Sequence, residues 1–371
     1  MTTSTHYPRQ PREACEREFA LHSEQLYRSG SRLAPLLARR TLADEDMLEL
    51  ASYVQPGQPM PPLLISVVHY LALEDPRLPV ARYFASVTPE PGAIEDAWPV
   101  FRQFCLDNRD KLIPLLATRT IQTTMVERAA TLLPGFARVQ AEEGGAPLTL
   151  IELGCSAGFN LLVGRHAYRF RHEASGSVDA CGEATAPVAI DVVVYGNRAP
   201  IPAQVPRIAE RIGIDLYPVD YRDPSRRNWT LAMMQPDNHR LIDRMRTAFG
   251  LLAEDPPRIL QGDAVKVLPE VLAQAGPGPL CVFHSCCVYQ WPAAVRSDLE
   301  AIMREHGRTR RIHCLAIEPD WSKQPAMLPN YPEAITTSAC DYTHTRYEGG
   351  RADTSHLGWV EGYARWIDWR A

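Results

Sequence analysis

Apolar and polar positions follow two different patterns along this chain, and the change falls near residue 145. From about Cys15 to Glu142 apolar residues recur at helical spacing, as in LLARR, MLELASYV, LLISVVHYLAL, FRQFCLDNRDKLIPLLATR and MVERAATLLPGFARV. Pro-rich turns such as QPGQPMPP and TPEPG separate these runs. The pattern predicts an almost entirely helical N-terminal cap domain over residues 1–142. After GGAP, short apolar runs end in small or acidic residues and lead into helical segments, as a mainly parallel sheet with crossover helices requires. Residues 143–371 are therefore predicted to form an α/β domain. Its expected strands are Leu148 to Leu153, Ile190 to Tyr195, Arg258 to Gln261, Leu280 to His284, Ile312 to Ile317 and Ile335 to Tyr342. The ending, Gly358 to Trp369, reads equally as a helix or a strand covering one sheet edge, with Trp359, Tyr363, Trp366, Ile367 and Trp369 explained by core packing.

Composition narrows the class. A chain of 371 residues with 45% hydrophobic and 22% charged residues buries a core easily and divides into two or three domains at most. The longest apolar stretch, Leu63 to Leu73, is interrupted by Ser66 and His69 and falls short of the roughly 18 residues of a membrane span. No secretory signal pattern opens the chain, and the nine cysteines are scattered, so a cytoplasmic protein with reduced thiols is expected. A net charge of -5, from 39 basic and 44 acidic side chains, provides no global basic field, which argues against nucleic acid or membrane partners and for a small-molecule substrate.

The most informative segment is LTLIELGCSAGFN, Leu148 to Asn160, an apolar strand running into a small-residue turn and then a helix beginning LLV. Gly154 and Gly158, with Cys155, Ser156 and Ala157 between them, would let a ligand approach the backbone. Cys155 reads as a small lining side chain. Glu152, two residues before the first glycine, would suit an ammonium group and would repel a phosphate. The segment therefore points to a cationic amino-acid nucleotide.

E-L-G-C-S-A-G resembles the first motif of class I S-adenosylmethionine methyltransferases, an acidic residue, any residue, then G-x-G-x-G, with Ser156 replacing the middle glycine. That replacement is tolerated if the position needs no positive φ. The resemblance implies a Rossmann-like fold with S-adenosyl-L-methionine as methyl donor or substrate. It further implies that Asp215, in IGIDLYP, receives the ribose hydroxyls and that Asp263, in ILQGDA, meets the adenine. Gly158 and Asp215 are 57 residues apart, where such an acid usually follows within about 20, so an inserted strand pair beside the site is expected near 165–205. Most of the chain also resembles an uncharacterised bacterial family with a methyltransferase-like fold and an N-terminal helical region. The matching segments are LLATRTIQTTMVERAA, ELGCSAGFNLL, RIGIDLYPVDYRDP, PPRILQGDAVKVLPEVL and VFHSCCVYQWP. In that family the first segment reads T-R-x-x-Q-T-N-E; Arg119, Gln122 and Thr123 match, and Thr124 and Met125 replace the last two. A helical Arg119, with Gln122, is placed by this resemblance to touch the carboxylate of the cofactor's methionine part.

Methyl transfer needs an acceptor held in line with the sulfonium, and a base only when the acceptor starts protonated. Ligands gather outside the carboxyl ends of parallel strands, which selects His284 and Tyr289 as catalytic candidates, Ser285 as a cofactor contact, and Glu318 as a further acid-base group. A second outcome is cyclisation of S-adenosylmethionine, its own amine attacking the γ carbon to give azetidine-2-carboxylate and methylthioadenosine. Tyr168, Tyr195 or Tyr289 facing the sulfonium would favour it through cation-π attraction. A third reading takes Gly154-Cys-Ser156-Ala-Gly158 as the G-x-S-x-G elbow of a serine hydrolase, completed by Asp320 or Asp341 with His344 or His356. That reading leaves Glu152 and the later acidic segments unexplained. His284-Ser-Cys286-Cys287 lacks a second ligand pair at metal spacing, so no metal site is expected there.

Overall fold

The structure is a computed structural model and describes residues 7–28, 30–320 and 339–371. Six α-helices come first: α1 (Arg12–Arg28), α2 (Leu33–Leu42), α3 (Glu45–Ala51), α4 (Met60–Glu74), α5 (Ala97–Asp107) and α6 (Arg109–Thr118). Next come α7 (Arg128–Glu142), β1 (Leu148–Leu153), β2 (His166–His172), β3 (Val178–Cys181), β4 (Val188–Gly196) and β5 (Ile208–Asp215). The chain continues through α8 (Pro224–Ala232), α9 (His239–Glu254), β6 (Arg258–Gln261), α10 (Ala264–Gln274), β7 (Leu280–Ser285), α11 (Ala293–His306) and β8 (Ile312–Pro319). It ends with β9 (Ala339–Glu348), β10 (Arg351–Glu361) and β11 (Trp366–Trp369).

Two compact units result, one of Met1–Thr124 with Tyr221–Arg246 and one of Met125–Asp220 with Thr247–Ala371. The division differs from the expected boundary at residue 142 in two ways: α7 belongs with the sheet, and residues 221–246 return to the first unit. In that first unit α4 is apolar on every face and buries eleven of its fifteen residues, which is how an interior helix reads. Its two polar interruptions are buried as well. His69 contacts the carbonyl of Ala232 at 3.1 Å and Ser86 Oγ at 2.7 Å, and burial pushes its imidazole down to about 4. Among the described residues no helix is long and apolar enough to cross a membrane.

The second unit is mixed α/β, built on an eleven-stranded sheet in the order β3-β2-β4-β11-β10-β9-β8-β7-β1-β5-β6. β1 and β7 are buried along their whole length and pair in parallel with each other; β1 also pairs with β5, and β7 with β8. In the run β6-β5-β1-β7-β8 the strand order reverses between β1 and β7, the crevice where open α/β sheets bind ligands. α7 packs on β7 and β8 and also on β4, so the sheet curves around it. Gly135 permits this seating, because a Cβ there would collide with the hydroxyl of Tyr342, which donates to the Leu132 carbonyl at 3.2 Å.

Several expectations are corrected. The segment near 165–205 supplies three strands rather than a pair, and five strands separate β4 from β1 in the sheet. The C-terminal tryptophans lie on β10 and β11, inside the sheet and not over its edge, with Trp359, Trp366 and Trp369 buried and Tyr363 in the turn between the two strands. Of the expected strand Ile335 to Tyr342, residues 335–338 lie outside the described residues and β9 starts at Ala339. The helix expected after the glycine turn is a seven-residue 3-10 helix, Phe159–Arg165.

Candidate functional site

The turn after β1 is strapped to the end of β5. Gly154 N–H donates to the Ile214 carbonyl at 2.8 Å, and Ser156 N–H donates to Asp215 Oδ2 at 2.8 Å. The other carboxylate oxygen accepts Tyr217 N–H at 2.8 Å, so buried Asp215 holds two neighbouring turns together. Ser156 sits at φ 51°, in the left-handed region. The replaced glycine position therefore does demand positive φ, and the serine carries about 1–2 kcal/mol of backbone strain that Asp215 helps to offset. Gly154 is needed for a different reason from close ligand approach: a Cβ there would collide with Cys287 Sγ from the turn after β7. A Cβ on Gly158 would meet Ile259 and Pro257 at 3.3 Å.

Polar atoms gather where β1 and β7 end. Glu152 is 2% exposed; its Oε1 accepts from Asn160 Nδ2 at 2.7 Å, while its Oε2 has no partner. Burial, reinforced by the charge of Asp215, pushes the Glu152 carboxyl up to about 8 against the opposing Asn160 hydrogen bond, so it carries a proton at neutral pH. Ser156 Oγ, Asn160 Oδ1 and Ser285 Oγ are likewise buried without a hydrogen-bond partner. Such orphaned atoms are rare in folded proteins and mark places where a ligand or water supplies the missing bond. Asn160 is the member of this group that sequence reading passed over; it stands eight residues after Glu152, at the end of the same motif.

The turn after β7 is built differently. Glu318, near the end of β8, accepts N–H groups from Cys287 at 3.1 Å, Val288 at 3.0 Å and Tyr289 at 3.4 Å, and contacts His284 Nδ1 at 2.5 Å. Burial would pull His284 down, but Cys314 and Glu318 outweigh it and push the imidazole up to about 10. His284 is thus an ion-pair partner of Glu318, which also braces the backbone of the turn. Tyr289 is 38% exposed.

The remaining candidates are spread more widely, with Asp263 still at the carboxyl ends of the parallel strands, after β6. Arg119 and Gln122 belong to the first unit, in an irregular stretch after α6 rather than a helix. There the Arg119 guanidinium stacks over Tyr70 and Trp229, and Gln122 N–H points to Met233 Sδ at 3.1 Å. Asp263 caps α10 through Val265 N–H at 3.2 Å and pairs with Lys266 at 3.6 Å. Tyr168, on β2, donates to the Val163 carbonyl, and Tyr195, on β4, packs edge-on against Trp366. The hydrolase triad is not assembled. His356 does contact Asp341 at 2.7 Å, but these residues lie on β10 and β9, beyond β7 and β8 from Ser156. One group among the described residues, Glu142, His313 and His344, brings three ligand atoms within 4.8 Å of one another. The two imidazole rings are nearly parallel, His313 Nδ1 and His344 Nε2 share a hydrogen bond at 2.8 Å, and His313 Nε2 contacts Glu143 at 3.0 Å.

No protein of curated function matches this chain. One family model, described as an uncharacterized protein conserved in bacteria (DUF2332), matches residues 16–369.

Proposed function

The chain belongs to this uncharacterised bacterial family, DUF2332, and we propose that it is an S-adenosylmethionine-dependent enzyme that transfers a methyl group to a small molecule. The observation that carries the reading is the set of buried, unpartnered polar atoms on Glu152, Ser156, Asn160 and Ser285, clustered where the strand order reverses. Their chemistry suits such a ligand: Asn160 Oδ1 accepts, the two serine hydroxyls donate or accept, and Glu152 accepts once it has lost its proton.

Glu152 would hold the ammonium, Asp215 the ribose hydroxyls and Asp263 the adenine amino group, while Ser156 and Ser285 supply hydroxyls beside them. The bound sulfonium supplies an electrophilic carbon. What the chain itself does is orient, exclude water and manage one proton. Glu152 is protonated below about pH 8 and must lose that proton to receive an ammonium. Ligand binding is therefore expected to release a proton at neutral pH and to strengthen as pH rises toward 8. Glu318 fixes the His284 ring at the end of β7, beside Ser285.

Calorimetry of the full chain with S-adenosylmethionine, repeated in buffers of different ionisation enthalpy, tests this. Binding with proton release, weakened roughly tenfold to a hundredfold in Glu152→Gln, is the expected result. No binding between pH 6 and pH 9 overturns the reading. Mass spectrometry of the same mixture without added acceptor reads which carbon reacts, since methylthioadenosine would mean attack at the γ carbon instead of the methyl.

A further inference from the structure

Cys286 follows β7 at φ 53°, one of three non-glycine residues in the left-handed region among the described residues. The conformation turns its side chain toward β9, where Cys340 is 3% exposed, and the two Sγ atoms stand 3.7 Å apart. The pair joins residues 54 positions apart, so it is made by the fold and not by local spacing. Cys286 itself is only partly buried.

The surroundings separate the two thiols. A hydrogen bond from Cys340 and the charge of Arg128 lower the Cys286 thiol to about 7, against its burial and the charge of Glu318. The same hydrogen bond, with burial, pushes Cys340 well up. Burial also pushes Cys287, next in the chain, up to about 12. One thiol is thus a ready nucleophile, and its neighbour is a buried reserve within reach.

We propose that Cys286 and Cys340 form a redox-active dithiol whose oxidant is a low-molecular-weight disulfide. The Cys286 thiolate attacks one sulfur of the disulfide, forming a mixed disulfide and expelling one small thiolate. Cys340 then passes its proton to the small thiolate released in the first step and attacks Cys286 Sγ, forming the Cys286–Cys340 bond, breaking the mixed disulfide and expelling the second thiolate, which takes up a proton from water. The two protein thiols lose two electrons, and the small disulfide gains them as it becomes two thiols. This chemistry is independent of S-adenosylmethionine, although the Ser285 hydroxyl also favours the Cys286 thiolate.

The groups facing Cys286 are Arg128 from α7, Glu318 from β8, Cys340 from β9 and Tyr289 in its own turn, and each enters its pH dependence. The test is to treat the native full chain with glutathione disulfide and map its peptides by mass spectrometry. A link between the peptides of Cys286 and Cys340, with loss of two hydrogen atoms, is expected, and Cys340→Ser should instead retain glutathione on Cys286. Iodoacetamide alkylation of Cys286 in the wild-type chain should show a midpoint near 7 rather than the ordinary 9.0, a readout that requires no variant to fold. Glutathione that persists on wild-type Cys286, a link that forms only after denaturation, or an ordinary alkylation midpoint would each overturn the proposal.

Discussion

The turns after β1 and β7 lie side by side and share a construction, yet they differ in what they leave unfinished. Each contains a non-glycine residue with positive φ, Ser156 or Cys286, and each is held by a carboxylate from the neighbouring strand's end. Glu318 collects three backbone N–H groups and an imidazole, so the turn after β7 is nearly closed in hydrogen bonding. Asp215 collects two N–H groups, and beside it Glu152, Ser156 and Asn160 keep buried atoms unsatisfied. The same strand-to-turn geometry thus serves as scaffold on one side and as an incomplete polar surface on the other. Most of the unfinished hydrogen bonding lies on the β1 side, with Ser285 at the end of β7 as its one counterpart across the crevice.

The comparison can be broken most easily at its stronger brace. Glu318→Ala leaves two part-buried N–H groups, an exposed one and a buried imidazole without their acceptor, and should lower stability by roughly 3–5 kcal/mol in urea unfolding. Asp215→Ala strands two N–H groups and should cost about 2 kcal/mol; an equal or larger loss there would invert the ranking of the two turns.

A pH series sharpens the contrast further. Glu152 ionises near 4.5 when unfolded and near 8 when folded, so its contribution is fully present below 4.5 and is lost as pH rises through 8. Relative to wild type, Glu152→Gln should therefore gain on the order of 3 kcal/mol between pH 5 and pH 8 and then level off. A flat difference would mean that Glu152 is solvated in the ligand-free protein. The smallest expected effect is Ser156→Gly, a gain of about 0.5 kcal/mol in thermal unfolding, because relief of left-handed strain slightly exceeds the entropy glycine adds to the unfolded chain.

Local pattern made part of this legible. β1 and β6 are bounded by proline before and glycine after, and the observed bounds equal the expected ones. β2 was not recognised as a strand, since HAYRFRH alternates weakly and sits where an insertion was needed to explain spacing. The ambiguous ending resolves into two strands, joined by a turn in which Ala364 takes positive φ, a conformation that residue type does not announce. Glu152, Ser156 and Asp215 could be selected from sequence because they stand in the glycine-turn and IGID motifs, and His284 because it lies at the end of an expected strand. Their states could not be read, since the protonation of Glu152 and the pairing of His284 arise from burial and from Asp215 and Glu318 on other strands. The contact between Cys286 and Cys340 was invisible for the same reason, being set by sheet order.

The discontinuity of the first unit has a consequence for synthesis. His69 finds its carbonyl partner 163 residues later, at Ala232, and the return segment is complete only at Arg246. At about 5–20 residues per second, a ribosome that has just made α4 needs roughly 10–30 s more to deliver that partner. During this interval a helix apolar on every face has emerged without the segment that completes its surroundings. A chain stopped at residue 142 would reproduce that nascent state permanently, as an aggregation-prone fragment that needs a chaperone and not as a separable helical domain.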